Sequence, residues 1–272
     1  MPEAPEVEAL TLFLRERLTG RVVVAAELAE FRALKTRARP LEQLVGRSVT
    51  GVSRYGKHID VDLDGAHLAI GFGRAGWATW SEGDVASAPP EGAALIASVT
   101  FDDGVLGIID AGGWLSVQLH VVADPLDVPA VAKLGPDAAD PAFSREDLAH
   151  ALGTRRKQLK ALLQEQESLA GIGNAYSDEI LFVARLSPSA HAASLSEDEV
   201  TRLHAALREV LDEAVTARRN VPIAQQKAAN VAAMRVHGRT GEPCPDGDGV
   251  IEDIPGTHGG GQWCPSCQAS PA

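Results

Sequence analysis

The chain has 272 residues, of which 45% are hydrophobic and 23% charged. Ordinary hydrophobicity without a dominant low-complexity tract excludes disordered and collagen-like chains, and no apolar run reaches the roughly 18 residues of a membrane-spanning helix. The formal net charge of −12, from 25 basic and 37 acidic residues, argues at face value against a polyanionic partner.

The chain starts Met1-Pro2-Glu3-Ala4-Pro5-Glu6, without the basic and then apolar regions of a signal peptide, so a cytoplasmic protein is expected. Pro5 suits the first turn of a helix, which leaves Pro2 and Glu3 at the helix mouth. From about residue 20 to 125 the pattern is mostly strands: Val22 to Ala25, Val49 to Val52, Ile59 to Leu63, Leu68 to Ile70 and Val105 to Ile109. Asp64-Gly65 and Asp103-Gly104 are hairpin turn signals between such runs. A stretch rich in Pro, Ala and Asp from Asp124 to Asp140 suits a linker. Ser144 and Asp147 have capping-box spacing, and helical periodicity follows to about residue 217 through Leu159, Leu162, Leu163, Ile180, Leu181, Leu203, Leu207, Val210, Leu211 and Val215. The last 35 or so residues are rich in Gly and Pro and hold all three cysteines. An odd cysteine count with a Cys264-Pro265-Ser266-Cys267 pair disfavours a disulfide framework. The expected order is therefore a β module, a helical module and a small cysteine-bearing tail.

The charge is uneven. Residues 153–160 carry Arg155, Arg156, Lys157 and Lys160 with no acid, and residues 218–240 carry Arg218, Arg219, Lys227, Arg235 and Arg239, again with no acid. All 37 acids lie elsewhere. Two solvated helix faces, or a basic groove on an acidic body, both fit this pattern. At the N-terminus, removal of Met1 would expose Pro2 as a secondary amine. An α-amino group titrates near 7.7–8.0, so a useful fraction is neutral and nucleophilic at cell pH. Glu3 beside it can move protons, and Glu6 lies one helical turn further on. The alternative is a solvated chain start with acids placed favourably at a helix N-terminus.

The opening MPEAPEVEAL resembles that of the bacterial formamidopyrimidine-DNA glycosylase and endonuclease VIII family, which repairs oxidised bases. Three further stretches agree in order. Arg54-Tyr55-Gly56-Lys57 is similar to the family's β-turn lysine motif, and Ala170 to Phe182 (AGIGNAYSDEILF) to its helix–two-turn–helix signature. Val236 to Pro245 with Trp263-Cys264-Pro265-Ser266-Cys267-Gln268 resembles its zinc-finger tail. The resemblance implies an α+β multidomain fold: an antiparallel β-sandwich with an N-terminal helix over 1–125, a linker over 126–143, a helix–two-turn–helix DNA-binding domain over 144–235, and a zinc-finger-like β-hairpin over 236–272. It implies base excision with strand cleavage at abasic sites, in a bacterial, nucleoid-associated monomer acting on double-stranded DNA with damaged bases or abasic sites.

Residue by residue, the resemblance makes Pro2 the Schiff-base nucleophile at C1′, Glu3 the proton donor to the sugar, and Glu6 a support of the lesion pocket. Lys57 and Asn174 match phosphate-holding positions, and the glycines around Asn174 leave backbone N–H groups bare at a helix start. Arg155 and Arg239, in the two basic runs, are expected to help grip the duplex, which has to bend so that the damaged base leaves the stack. The departures concern recognition. Where the family usually has a strand histidine and an intercalating methionine, this chain has Gly71 and Arg74. Where a gap-filling loop usually offers Arg-Arg-Phe, it has Gly112-Gly113-Trp114. Trp114 is then either a stacking wedge or a buried strand aromatic. The finger arginine aligns near Gly259, and the first metal half-site reads Cys244-Pro245-Asp246-Gly247, with Gly in place of a thiolate. Cys244, Cys264 and Cys267 would hold structural Zn²⁺, with His258, Asp246 or Asp248 as fourth ligand.

Three functions fit to different degrees. A glycosylase/lyase with unusual lesion choice accounts for Pro2, Glu3, Glu6, Lys57 and Asn174, the groups the chemistry requires. A binding paralogue that senses abasic or distorted DNA accounts for Gly112, Gly113, Gly259 and the charge of −12. A zinc-ribbon interaction module leaves Pro2 and Glu3 without a purpose.

Overall fold

The structure is a computed structural model and describes residues 1–255 and 260–268. Helix α1 (Ala4–Leu18) has Pro5 in its first turn, where the missing N–H costs nothing. Val7, Leu10, Leu14 and Leu18 recur at three- and four-residue spacing and are fully enclosed. Eight strands follow: β1 (Ala25–Leu28), β2 (Gly51–Tyr55), β3 (His58–Asp62), β4 (His67–Gly71), β5 (Gly76–Glu82), β6 (Ala94–Thr100), β7 (Gly104–Asp110) and β8 (Gln118–Val122). They form two antiparallel four-stranded sheets, in the orders β1-β6-β7-β5 and β2-β3-β4-β8. Alternation along the strands turns Val52, Ile59, Val61, Leu68, Ile70 and Leu119 of one sheet and Ala78, Ile96, Val99, Leu106 and Ile108 of the other into one core with the α1 stripe. This is the expected β-sandwich.

Both predicted hairpin turns are present. Asp64 (φ 45°) and Gly65 (φ 84°) take the left-handed pair that a two-residue hairpin needs. At the other turn Gly104 opens β7, and a Cβ there would lie 2.2 Å from Trp80 Cζ2, so the indole leaves room only for glycine. The strand expected at Val22 begins later. Val22 makes only an isolated bridge to Ser48, because ladder pairing with β6 starts at Ala25 opposite Thr100. The stretch expected as a linker also carries structure. A 3₁₀ turn at Pro125–Asp127 is capped by the Asp124 carboxylate, helix α2 (Pro129–Ala132) follows, and Ala138 and Phe143 are buried in the helical core.

The chain divides into two compact units, Met1–Lys133 with Arg219–Gln226, and Leu134–Arg218 with Lys227–Ala272. In the second, α3 (Arg145–Leu152) starts at the predicted capping box: Asp147 N–H donates to Ser144 Oγ at 3.1 Å and Ser144 N–H to Asp147 Oδ2 at 2.9 Å. Then come α4 (Leu159–Leu163), α5 (Asn174–Val183), α6 (Glu197–Arg218) and α7 (Gln226–Ala233). The helix–two-turn–helix is α4, the turns of residues 164–173, and α5. Leu159, Leu162, Leu163, Ile180, Leu181, Leu203, Leu207 and Leu211 fill its core. The tail contributes β9 (Glu252–Asp253) paired with β10 (Gln262–Trp263), and α8 (Pro265–Gln268). Its small core holds Val236, Cys244, Ile251 and Cys264 against Phe182 of α5.

Candidate functional site

The N-terminal pair of acids is built into the start of α1. Glu3 is the N-cap and Glu6 the third helical residue, and they close a reciprocal capping box in which Glu3 N–H donates to Glu6 Oε2 at 3.1 Å. Glu3 is 2% and Glu6 3% exposed, with Pro2 half-buried beside them. Free backbone N–H groups and the helix dipole make this a favourable place to bury carboxylates. Lys57 sits in the two-residue turn joining β2 to β3, closed by the Tyr55–His58 pair, with Gly56 at φ 56° in the first central position. Arg54 fixes the turn against α1: its Nε meets Glu8 Oε2 at 2.7 Å and its guanidinium donates to Gly56 O at 3.0 Å. Burial draws the Lys57 ammonium below the usual lysine range, while the charges of Glu3 and Glu6 oppose that shift. Of the predicted residues, Lys57, Glu3 and Glu6 thus share one electrostatic environment, and Pro2 adjoins Glu3 in the chain.

One row of residues ends the sheet beside them. Tyr55 pairs with His58, His58 with Gly71, and Gly71 with Gln118. The Lys57 turn, the turn carrying Arg74 and the loop carrying Trp114 therefore leave the sheet at the same end. Arg74 is exposed, and Trp114 is 91% exposed, which resolves the choice between wedge and buried strand aromatic in favour of exposure. The Trp114 loop is nonetheless fixed at its base. Asp110 accepts from Gly112 N–H (2.9 Å), Ser116 N–H (2.7 Å), Ser116 Oγ (2.9 Å) and Val117 N–H (3.0 Å). Burial alone would raise the Asp110 carboxyl, but these donors together hold it below the usual aspartate range. Ser116 Oγ in turn accepts from Ala75 N–H at 3.1 Å, so the Arg74 and Trp114 loops are joined. Gly73, at φ 55°, allows that approach, because a Cβ there would lie 2.3 Å from Ser116 O. Asp110 and Ser116 were not singled out from sequence; an acid closing a glycine-rich loop was the available signal.

In the second unit Asn174 is the first residue of α5, after Gly173 as N-cap. Its side-chain amide donates to Gly260 O, and its Oδ1 accepts from Gln164 Nε2 at 3.2 Å. Behind it lies Lys160, a buried residue that sequence reasoning counted only as part of a basic run. Lys160 Nζ donates to Asn174 O at 3.2 Å and Ser177 Oγ at 2.9 Å, and forms an ion pair with Asp178. A Cβ at Gly261 would come within 2.7 Å of Lys160 Cε, so the tail packs directly on this lysine.

Several cations of the two basic runs have acidic partners in the folded chain. Arg155 and Lys157 both meet Glu165, at 2.8 and 2.6 Å, and hydrogen bonds from Lys157 and Ser168 help hold that carboxyl at about 2. Arg235 reaches Glu209 (3.4 Å) and Glu213 (3.0 Å), and Arg239 reaches Glu242 at 3.0 Å. The two runs are free of acids in sequence, but folding brings acids from other segments to them. Arg155 and Arg239 are accordingly engaged within the protein.

The three cysteines converge. Their sulfurs all lie within 4.8 Å of one another, with Cys244 and Cys267 Sγ 3.5 Å apart. Tetrahedral thiolates about 2.3 Å from zinc would stand about 3.8 Å apart, so the three fit corners of such a site. Burial pushes the Cys267 thiol up to about 12, reinforced by hydrogen bonds with Cys244 and Cys264. Among the described residues no carboxylate joins the three sulfurs, and Asp246 and Asp248 lie outside the cluster. A Cβ on Gly247 would lie 3.5 Å from Cys267 Sγ, so the position that lacks a thiolate borders the cluster. His258 and Gly259 lie outside the described residues.

Residues 1–111 match a family model described as the formamidopyrimidine-DNA glycosylase N-terminal domain, and residues 134–223 match the formamidopyrimidine-DNA glycosylase H2TH domain. Over 262 residues the chain is 35% identical to a formamidopyrimidine-DNA glycosylase of Moorella thermoacetica, covering 90% of this chain and 91% of that one. It is 33% identical over 277 residues to its counterpart in Solibacter usitatus, covering 98% and 99%. A solved structure of the Lactococcus lactis formamidopyrimidine-DNA glycosylase, bound non-covalently to DNA containing an AP site, is similar at a TM-score of 0.85. That likeness comes at 25% identity and covers 98% of this chain and 100% of the other.

Proposed function

The chain belongs to the formamidopyrimidine-DNA glycosylase family, a DNA N-glycosylase of base-excision repair, and on that premise we propose that Pro2 is its nucleophile and that it also cleaves abasic sites. With Met1 removed, the Pro2 nitrogen attacks C1′ of the flipped nucleotide, the bond from C1′ to the base breaks, and an imine links protein and sugar. Glu3 donates a proton to the sugar and so helps its ring open. Elimination then breaks the backbone on the 3′ side of the abasic sugar. Lys57, close to both carboxylates, holds a phosphate beside the reacting sugar, and Glu6 fixes Glu3 through the capping box.

The observation that carries this reading is that Glu3 and Glu6 are enclosed at the helix mouth next to Pro2, with the Lys57 ammonium near enough to feel both charges. The partner we assign is double-stranded DNA with damaged bases or abasic sites, held by Lys57, Arg74 and Asn174. Trp114 stacks in the gap left by the flipped base. Arg155 and Arg239, already paired with Glu165 and Glu242, contribute less. No helix among the described residues is long and apolar enough to cross a membrane. Zinc is the metal we assign to Cys244, Cys264 and Cys267; it would tie residue 244 to residues 264–267, a structural task.

The test is to incubate the protein lacking Met1 with duplexes bearing an abasic site, 8-oxoguanine, formamidopyrimidine or an oxidised pyrimidine, and reduce with borohydride. The expected result is a covalent adduct lost in Pro2→Gly, strongest on the abasic duplex because that substrate needs no base pocket. Tight binding with no adduct on any duplex would convert the reading to a DNA-sensing paralogue.

A further inference from the structure

The geometry points to Cys244 and Cys267 as an oxidative modification site, at which a peroxide forms a disulfide that holds the tail together in place of the metal. The inference rests on the assignment of zinc to the three thiols. Three thiolates allow one disulfide and leave one thiol over, so the choice of pair decides what oxidation does to the fold. A Cys264–Cys267 link would close only a short loop within α8 and leave residue 244 untethered. A Cys244–Cys267 link joins the same two half-sites that the metal joins.

The surroundings of the sulfurs select that second pair. Cys244 and Cys267 are 23 residues apart in sequence, yet their sulfurs stand 3.5 Å apart. Side-chain rotation has to close about 1.5 Å to reach a disulfide bond of about 2.05 Å. Cys264, by contrast, is pinned. It is fully enclosed, and a Cβ on Gly249 would lie 2.8 Å from its Sγ, so the backbone at 249 packs directly on that sulfur. Its N–H donates to Gln268 Oε1 at 2.8 Å, and Gln268 Nε2 donates in turn to Leu186 O at 3.0 Å. Beside Cys267 Sγ stands Gly247, whose missing side chain leaves that sulfur room to turn. Cys267 is also partly exposed, whereas Cys244 and Cys264 are buried, so a small oxidant reaches it first.

With the metal bound all three sulfurs are thiolates, so access rather than acidity selects the one attacked. The Cys267 thiolate attacks one oxygen of hydrogen peroxide, the O–O bond breaks, hydroxide leaves, and the sulfur becomes a sulfenic acid. The Cys244 thiolate then attacks that sulfur; the S–O bond breaks and a second hydroxide leaves as the disulfide forms. Two electrons have passed from the sulfurs to peroxide. Zinc, left with Cys264 alone, dissociates. Oxidants that damage DNA bases thus release the metal from this chain without releasing its tail.

The test treats zinc-loaded protein with hydrogen peroxide, beside reduced protein stripped of metal by a chelator. Zinc release, non-reducing peptide maps, thermal unfolding and the Kd for a duplex carrying a non-cleavable abasic analogue are measured for each. The expected map joins Cys244 to Cys267 and leaves Cys264 free, with zinc released in step with the link. The oxidised protein should unfold about 6–12 °C above the stripped protein, as for a disulfide closing a loop of this length. Its Kd should stay within about threefold of the zinc-loaded protein, while that of the stripped protein rises about tenfold. Cys264→Ser, which removes only the leftover thiol, should form the same link and gain the same stability on oxidation, and Cys267→Ser should gain none. A link mapped to Cys264, sulfinic or sulfonic acids in place of a disulfide, or an oxidised protein that unfolds with the stripped one overturns the inference. A link that forms in protein purified without zinc overturns the metal assignment and leaves the disulfide standing. Failure of every form to bind the duplex overturns the glycosylase reading alone.

Discussion

Asp110 is the hub on which the exposed Trp114 depends, and replacing it gives a direct measure of how far a fixed loop matters to excision. In Asp110→Ala the enclosed Val117 N–H loses its acceptor, a cost of about 1–3 kcal/mol, while the Gly112 and Ser116 donors re-bond to water at smaller cost. The total is about 2–4 kcal/mol, which lowers the unfolding midpoint by about 5–12 °C in a domain of this size. The assay pairs differential scanning calorimetry with single-turnover excision on a damaged duplex and with abasic-site cleavage on a single strand. Duplex excision should fall about tenfold, corresponding to about 1.4 kcal/mol for ordering the wedge, with single-strand cleavage near the wild-type rate. The pH dependence has a definite sign. The Asp110 carboxyl titrates lower in the folded protein than in the unfolded chain, so its stabilisation is fully present above the ordinary aspartate value near 3.9 and fades as pH falls through the folded value. The stability gap between wild type and Asp110→Asn should close over that acid range. An Asp110→Ala midpoint within about 1 °C of wild type would refute the assigned role of Asp110.

Other consequences are as concrete. Glu179 accepts from the backbone N–H groups of Arg235, Val236 and His237 at 2.8, 2.9 and 2.9 Å, so Glu179→Ala should cost about 2–4 kcal/mol by calorimetry and speed proteolysis near residue 236. A loop tip of Gly112, Gly113 and an indole stacks on any base and hydrogen-bonds to none through a side chain. Excision rates should therefore differ by less than about fivefold among the four opposite bases, and Trp114→Ala should lower all four about tenfold. Cys264→Ser should abolish stoichiometric zinc in elemental analysis and lower thermal stability; retention of one equivalent of zinc would exclude that thiol as a ligand.

The features legible in the sequence are those whose causes are local. The α1 stripe, the Asp64-Gly65 turn and the Ser144–Asp147 box each fit within a few residues, and the structure reproduces them. The residues proposed for the helix mouth also stand out locally, because Pro2, Glu3 and Glu6 are consecutive or one turn apart and Lys57 sits in a two-residue hairpin. The partners that folding brings from afar were not. Glu165 lies beyond the basic run it neutralises, and the Asp178 partner of Lys160 is on a different helix. A net charge of −12 gave no hint that the acid-free runs would be answered individually.

Asp178 illustrates what such long-range partners make possible. Its carboxylate is shared by Lys160 from α4, His237 from the chain leading into the tail (2.7 Å) and the Gln262 backbone N–H (3.0 Å). The same lysine supports the backbone of Asn174, whose amide reaches Gly260. On the proposed reading the tail would form the far wall of an anion cradle at the start of α5 as well as a zinc module. Metal content would then be a control on grip: a protein depleted of zinc would keep the proposed Pro2 nucleophile and Glu3 acid, yet hold DNA less firmly because that wall had shifted.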